Sequence, residues 1–145
     1  MASWSAEARR FLERHRVGHL ATSGADGAPH VVPVCYALDE AALYFVADEK
    51  PKRRPARALR RLDNIRDNPR AAVVVDDYDD DWSRLAYLLV RGPARILADA
   101  AEHAGALDLL RARYPQYTAM SLDDPVAHPI VRVDPARVVF WRASR

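Results

Sequence analysis

The strongest constraint on this chain is how its first apolar runs are joined. VGHLATS (17–23), PHVVPVCYAL (29–38) and ALYFVA (42–47) are separated only by GADGA and by Asp39-Glu40. Asp26-Gly27 supplies hairpin turn chemistry. Connections this short cannot hold a helical crossover, so successive strands must run antiparallel. AAVVVDD (71–77) is a β-branched run and reads as a buried strand. RLAYLLVRGPARILA (84–98) is long, and Gly92-Pro93 at its middle predicts a bend or bulge. PIVRV (129–133) and RVVFWRA (137–143) complete six or seven strands.

Helical spacing is confined to three stretches. Trp4, Ala8, Phe11, Leu12 and His15 recur on one face, with Ser3 as N-cap. ARALRRLDNIRDNP reads as a helix to about Arg66, with Ala58, Leu62 and Ile65 as its apolar stripe and Asn68-Pro69 as its stop. Asp99 to Glu102 resembles a capping box that opens a helix to about Tyr114. Residues 114–128 read as loop with a helical turn. Many strands, short turns and few helices predict a mainly β (α+β) fold: a small antiparallel barrel with peripheral helices.

The chain has 145 residues, enough to bury roughly 70% of its extended surface in one domain spanning 1–145. No apolar run approaches the ~18 residues that a membrane span needs, and the N-terminus has no signal-peptide h-region. The single cysteine, Cys35, excludes an internal disulfide framework and a cysteine zinc site. A cytoplasmic location is the expectation.

Charge is blocked rather than spread. Residues 50–61, KPKRRPARALRR, hold seven cations and no acid, and they contain both lysines of the chain. Cations at the entry to a helix suit a phosphate or carboxylate, although arginines this dense cannot all face one way. No aromatic residues interleave with them, which argues against nucleic acid. Residues 76–81, DDYDDD, hold five acids, but lack the glycine and distal glutamate of a calcium loop. They read as a solvated loop, or as a patch pairing with arginines on the same or a partner chain. Five histidines show no metal spacing, and only His30 falls near a candidate pocket. Cys35 reads as an inert packing thiol. Trp82, Trp141, Tyr78 and Tyr87 read as core or interface packing more readily than as a ligand platform. No nucleophile elbow, Walker A loop or dinucleotide fingerprint is present.

The order of these parts carries a resemblance. GHLATSGADGAPHVVPVCYALDEAALYFVADEK, a basic helix ending in NP, then AAVVVDD, resembles the pyridoxamine-5′-phosphate-oxidase-like flavoproteins. Their fold is an antiparallel split β-barrel, Greek-key-like, of the FMN-binding split-barrel type. "LAT…DG.PH..P" followed by "NPR…V.VDDYDDDW.RL…VRG.AR" is most similar to the actinobacterial branch that uses the deazaflavin coenzyme F420. The resemblance runs from about His19 to Arg142.

It implies a ring lying against Val32, Pro33 and Val34. It implies a cofactor phosphate held by Lys50, Lys52 and Arg61, with Arg53 and Arg60 as neighbours. It also implies a homodimer in which Trp82 or Tyr87 contributes from the second chain. The positions where the B6 oxidases carry an arginine and a lysine are Val32 and Ala37, and the arginine-rich C-terminal motif is replaced by FWRASR. Vitamin B6 oxidation is therefore not expected. The implied function is an F420-dependent oxidoreductase acting on a small organic substrate, in which the cofactor carries the chemistry and no dedicated acid or base is needed. The alternatives are an FMN-dependent oxidase or reductase of the same fold, and a non-catalytic F420-binding protein. No metal, nucleic acid or membrane partner is expected.

Overall fold

The computed structural model describes residues 4–48 and 59–144. Among the described residues, eight strands and three helices follow in the order α1 (Ala6–Glu13), β1 (Val17–Ser23), β2 (Pro29–Cys35), β3 (Ala37–Leu38), β4 (Leu43–Val46), α2 (Arg60–Asp67), β5 (Arg70–Asp77), β6 (Ala86–Ile96), α3 (Ala100–Arg113), β7 (Ile130–Val133) and β8 (Arg137–Arg142). Short 3₁₀ turns at Trp82–Arg84 and Pro115–Ala119 fill two of the connections.

The strands form one curled antiparallel sheet in the order β2-β1-β5-β6-β7-β4-β3, with β8 on the other edge of β6. Its two ends, β2 and β3, are consecutive in the chain, so the sheet bends back on itself as a split barrel. The expected single strand 29–38 is divided at Tyr36. The Tyr36 N–H donates to the Tyr114 hydroxyl at 3.0 Å, and that hydroxyl lies 2.7 Å from the carbonyls of both Tyr36 and Arg16. A side chain thus satisfies the backbone groups that a ladder would otherwise use, and the chain turns from one half of the barrel into the other.

β6 is the long strand that both halves share. Its residues 86–91 pair with β8 on one side, 86–93 pair with β5 on the other, and 94–96 pair with β7. The changeover falls on Gly92-Pro93. A Cβ at Gly92 would lie 1.9 Å from the Asp134 carbonyl oxygen, so only glycine admits this backbone crossing. β6 runs unbroken through Gly92-Pro93, and what the glycine marks is the close approach of the β7–β8 turn.

The helices close the open surfaces. α1 buries Ala8, Phe11 and Leu12 in the barrel cluster with Leu20, Val73 and Leu88. Its N-cap is Ser5, whose hydroxyl accepts from the Ala8 N–H at 3.1 Å, not Ser3. α2 buries Leu62 and Ile65, and its buried Asn64 donates to Thr22 Oγ1 at 3.1 Å. α3 is capped by Asp99, as read, but the Glu102 carboxylate pairs with Arg95 at 2.8 Å instead of returning to the cap. Leu107 and Leu110 of α3 pack with Tyr44, Tyr117 and Ile130 in a second cluster.

Candidate functional site

The free edge of β2 and the end of β4 do not pair, and a cleft opens between them. It is a cavity of about 350 Å³ whose apolar wall is Val32, Pro33, Val34 and Cys35 of β2 with Val17 and Val46. Its polar wall is Asp48, Arg61 and Tyr117. Alternation along β2 sets this wall: Val34 points inward and is buried, while Val31 and Pro33 face outward.

Arg61 reaches the cleft from the first turn of α2, because Leu62 and Ile65 anchor the helix to the barrel on its other side. Its guanidinium is partly buried, and the Nε atom is shielded from solvent with no hydrogen-bond partner. Burial pulls its pKa below the ordinary arginine value, against the opposing pull of Asp48. A partly buried guanidinium with an unsatisfied Nε is a donor that an anionic group would satisfy. His30 stands nearby with its Nδ1 also buried and unsatisfied. Burial, then Arg61 and Arg60, lower its pKa, so it is neutral at pH 7. Across the cleft the Tyr117 hydroxyl donates to Asp48 Oδ2 at 3.2 Å. Burial first, then the Asp48 charge, push the phenol well above its usual range. Tyr117 therefore stays protonated and serves as a hydrogen-bond donor.

The structure brings together four of the residues singled out from sequence: Val32, Pro33, Val34 and Arg61. Arg60 is exposed one residue away and lines a separate depression with Asp26 and Asp63. Trp82 is 68% exposed on the β5–β6 loop and does not line the cleft. Lys50, Lys52 and Arg53 lie outside the described residues. Asp48, Cys35 and Tyr117 were not read as site residues. Tyr117 comes from the stretch whose structure was ambiguous in sequence, and Cys35, read as packing, is a half-buried wall of the cleft. His15, His103 and His128 are bonded to protein carbonyls or to Asp77 and serve the fold. Among the described residues no cluster of histidine, cysteine or carboxylates could hold a metal ion, and no helix is long and apolar enough to cross a membrane.

The residues present fit a flavin-type group. An apolar strand edge offers a face to a planar ring, and Arg61 offers an unpaired donor to a phosphate. At about 350 Å³ among the described residues, the cleft is at the small end of cofactor sites.

Comparisons with known proteins agree with this geometry. A curated 5a,11a-dehydrotetracycline/5a,11a-dehydrooxytetracycline reductase of Streptomyces rimosus is 29% identical over 132 residues, covering 90% of this chain and 78% of that protein. A solved F420 reductase superposes with a TM-score of 0.67 at 30% identity, covering 90% of this chain and 94% of its own. An FAD-binding protein from Mesorhizobium loti superposes with a TM-score of 0.66 at 27% identity over 96% and 95% of the two chains. The pyridoxamine 5′-phosphate oxidase family model matches residues 5–142, and the chain, a split barrel, belongs to that family.

Proposed function

We propose that this chain is a coenzyme F420-dependent reductase of a small organic substrate, working as a homodimer. The observation that carries the reading is the partly buried Arg61 guanidinium, unsatisfied at Nε, on the rim of a cleft whose opposite wall is the Val32-Pro33-Val34 strand edge. The F420 reductase and the dehydrotetracycline reductase among its relatives support it.

When bound, a deazaflavin supplies two-electron hydride transfer. The chain's residues have the simpler tasks of binding and exclusion. Arg61 holds a phosphate with Lys50 and Lys52 as its partners there and Arg53 and Arg60 as neighbours, as the resemblance implies. Val32, Pro33 and Val34 present an apolar edge that keeps water from one face of the ring. Tyr117, held protonated by burial and by Asp48, donates a hydrogen bond within the cleft. A second copy encloses what one chain leaves open.

The test is a pair of fluorescence titrations of the purified protein with F420 and FMN in one low-salt buffer. Seven cations exceed what one phosphate needs, and exposed contacts to a carboxylate tail contribute ~0.2–1 kcal/mol each. F420 is expected to bind about tenfold more tightly. The FAD-binding relative favours the FMN reading. FMN binding as tightly as F420, or a yellow chromophore on purification, would replace the deazaflavin assignment. Tight F420 binding without turnover of any electron acceptor would make the protein a carrier.

A further inference from the structure

Alternation along β2 puts His30 on the same side of the strand as Val32 and Val34, which line the cleft. His30 sits just beyond that lining and directly across from Thr22 of β1. Thr22 is buried and accepts a hydrogen bond from Asn64 of α2 at 3.1 Å. Arg61 lies three residues before Asn64, on the same face of that helix. Strand pairing and helix packing therefore bring His30 and Arg61 to one junction, where the cleft meets α2.

Each brings a polar atom with nothing to bond. His30 Nδ1 and Arg61 Nε are both shielded from solvent, and neither has a hydrogen-bond partner. Native proteins seldom leave such atoms unpaired, so two at one junction call for a shared partner. Arg61 Nε is a donor only, so that partner must be an acceptor. The local field makes it an anion. After burial, the charges acting on His30 are those of Arg61 and Arg60, and no carboxylate opposes them. The nearby acids are engaged elsewhere. Asp48 acts on Arg61 and accepts from Tyr117, Asp63 pairs with Arg66, and Asp26 accepts from the Ala28 N–H.

We propose that His30 and Arg61 grip one anionic oxygen between them, and that His30 takes up a proton as the anion binds. This rests on the proposed function, in which the anion is the cofactor phosphate held by Arg61. Arg61 Nε–H and His30 Nδ1–H both donate to the oxygen. Without the anion, a positive charge on His30 is opposed by two guanidinium groups. With the anion in place, the imidazolium gains a charge-assisted hydrogen bond and an opposite charge beside it. Reciprocity sets the sign: an anion that tightens proton binding is itself bound more tightly once the proton is on. Affinity is therefore flat well above the bound-state midpoint, tightens as pH falls, and levels off below the free-state midpoint, which lies under the ordinary histidine value of 6.5. An opposite charge at hydrogen-bond distance raises a midpoint by about one unit or more. The dissociation constant should thus fall about tenfold from about pH 8 to about pH 5.

The test has two arms. In the first, sulfate is added to the protein without cofactor, at constant ionic strength and with chloride as control. Sulfate keeps its charge over this pH range, so any change belongs to the protein. The His30 ring protons, assigned by their loss in His30→Asn, are followed against pH by NMR. Sulfate is expected to raise the His30 midpoint by about half a unit or more, and Arg61→Gln to abolish that rise. In the second arm F420 is titrated by fluorescence across the same pH range into wild type and His30→Asn, with circular dichroism and thermal melting to check that the variant folds. Asparagine keeps a hydrogen-bonding side chain that does not titrate. The ratio of the two dissociation constants should therefore change about tenfold with pH, wild type binding relatively tighter in acid. A His30 midpoint indifferent to sulfate, or a ratio that does not move with pH, would each overturn the proposal. Failure of F420 to bind would remove the deazaflavin reading alone, because the sulfate arm decides the His30–Arg61 grip without it.

Discussion

Replacing Arg61 with glutamine separates the binding role of this side chain from any role in the fold. In the free protein the Arg61 guanidinium is partly buried with its Nε unsatisfied, and burial already depresses its pKa. Its charged form is thus held at a cost, offset in part by Asp48. Removing it sacrifices little native stability, about 1 kcal/mol or less, or a melting shift of about 2–4 °C for a chain of this size. The loss on binding is larger. A charge-assisted hydrogen bond to phosphate contributes ~1.5–3 kcal/mol, so the dissociation constant should rise about 10- to 150-fold. Lysine at this position keeps the charge but loses the planar fork, and should fall between the two. Fluorescence titration with F420, beside thermal melting of the same samples, reads both quantities. Equal affinity in wild type and Arg61→Gln would show that the guanidinium does not hold the phosphate. A melting loss above 10 °C would show instead that Arg61 is part of the framework.

Three further outcomes follow from the geometry. Tyr114→Phe leaves the buried Tyr36 N–H without its acceptor and should cost about 1–3 kcal/mol, read as a lowered urea midpoint with unchanged m-value. Gly92→Ala places a methyl group against the Asp134 carbonyl, and forcing the β7–β8 turn away should cost about 1–3 kcal/mol by the same assay; an unchanged midpoint would show that the turn yields freely. His30 is lowered by burial and by Arg61 and Arg60, so the unfolded chain binds more protons than the native state near its folded pKa. Its contribution to stability is complete above about pH 6.5 and lost as pH falls through the folded pKa. Its ring protons should titrate below pH 6.5 by NMR, and Arg61→Gln should move the midpoint upward; a midpoint above pH 6.5 in wild type would contradict the placement of His30.

Local chemistry in the sequence carried most of the barrel. Asp26-Gly27 and Asp39-Glu40 leave no room for a crossover, so antiparallel order was determined wherever turns are short. Asp99 capped its helix, because capping acts over a few residues, whereas the crowding at Gly92 comes from Asp134, far along the chain. Val32, Pro33, Val34 and Arg61 were singled out through the ordering of motifs, which is a property of the linear chain. Tertiary structure decided what depends on distant partners. Tyr36 interrupts its strand only because Tyr114, 78 residues away, takes its N–H. Asp48 and Tyr117 meet across 69 residues, and no spacing rule reaches that far. Arg70 and Asp76 stand six positions apart in the chain. Alternation puts their side chains on one face, and only the registers of β5, β6 and β8 sort that face into a basic row and an acidic, aromatic one.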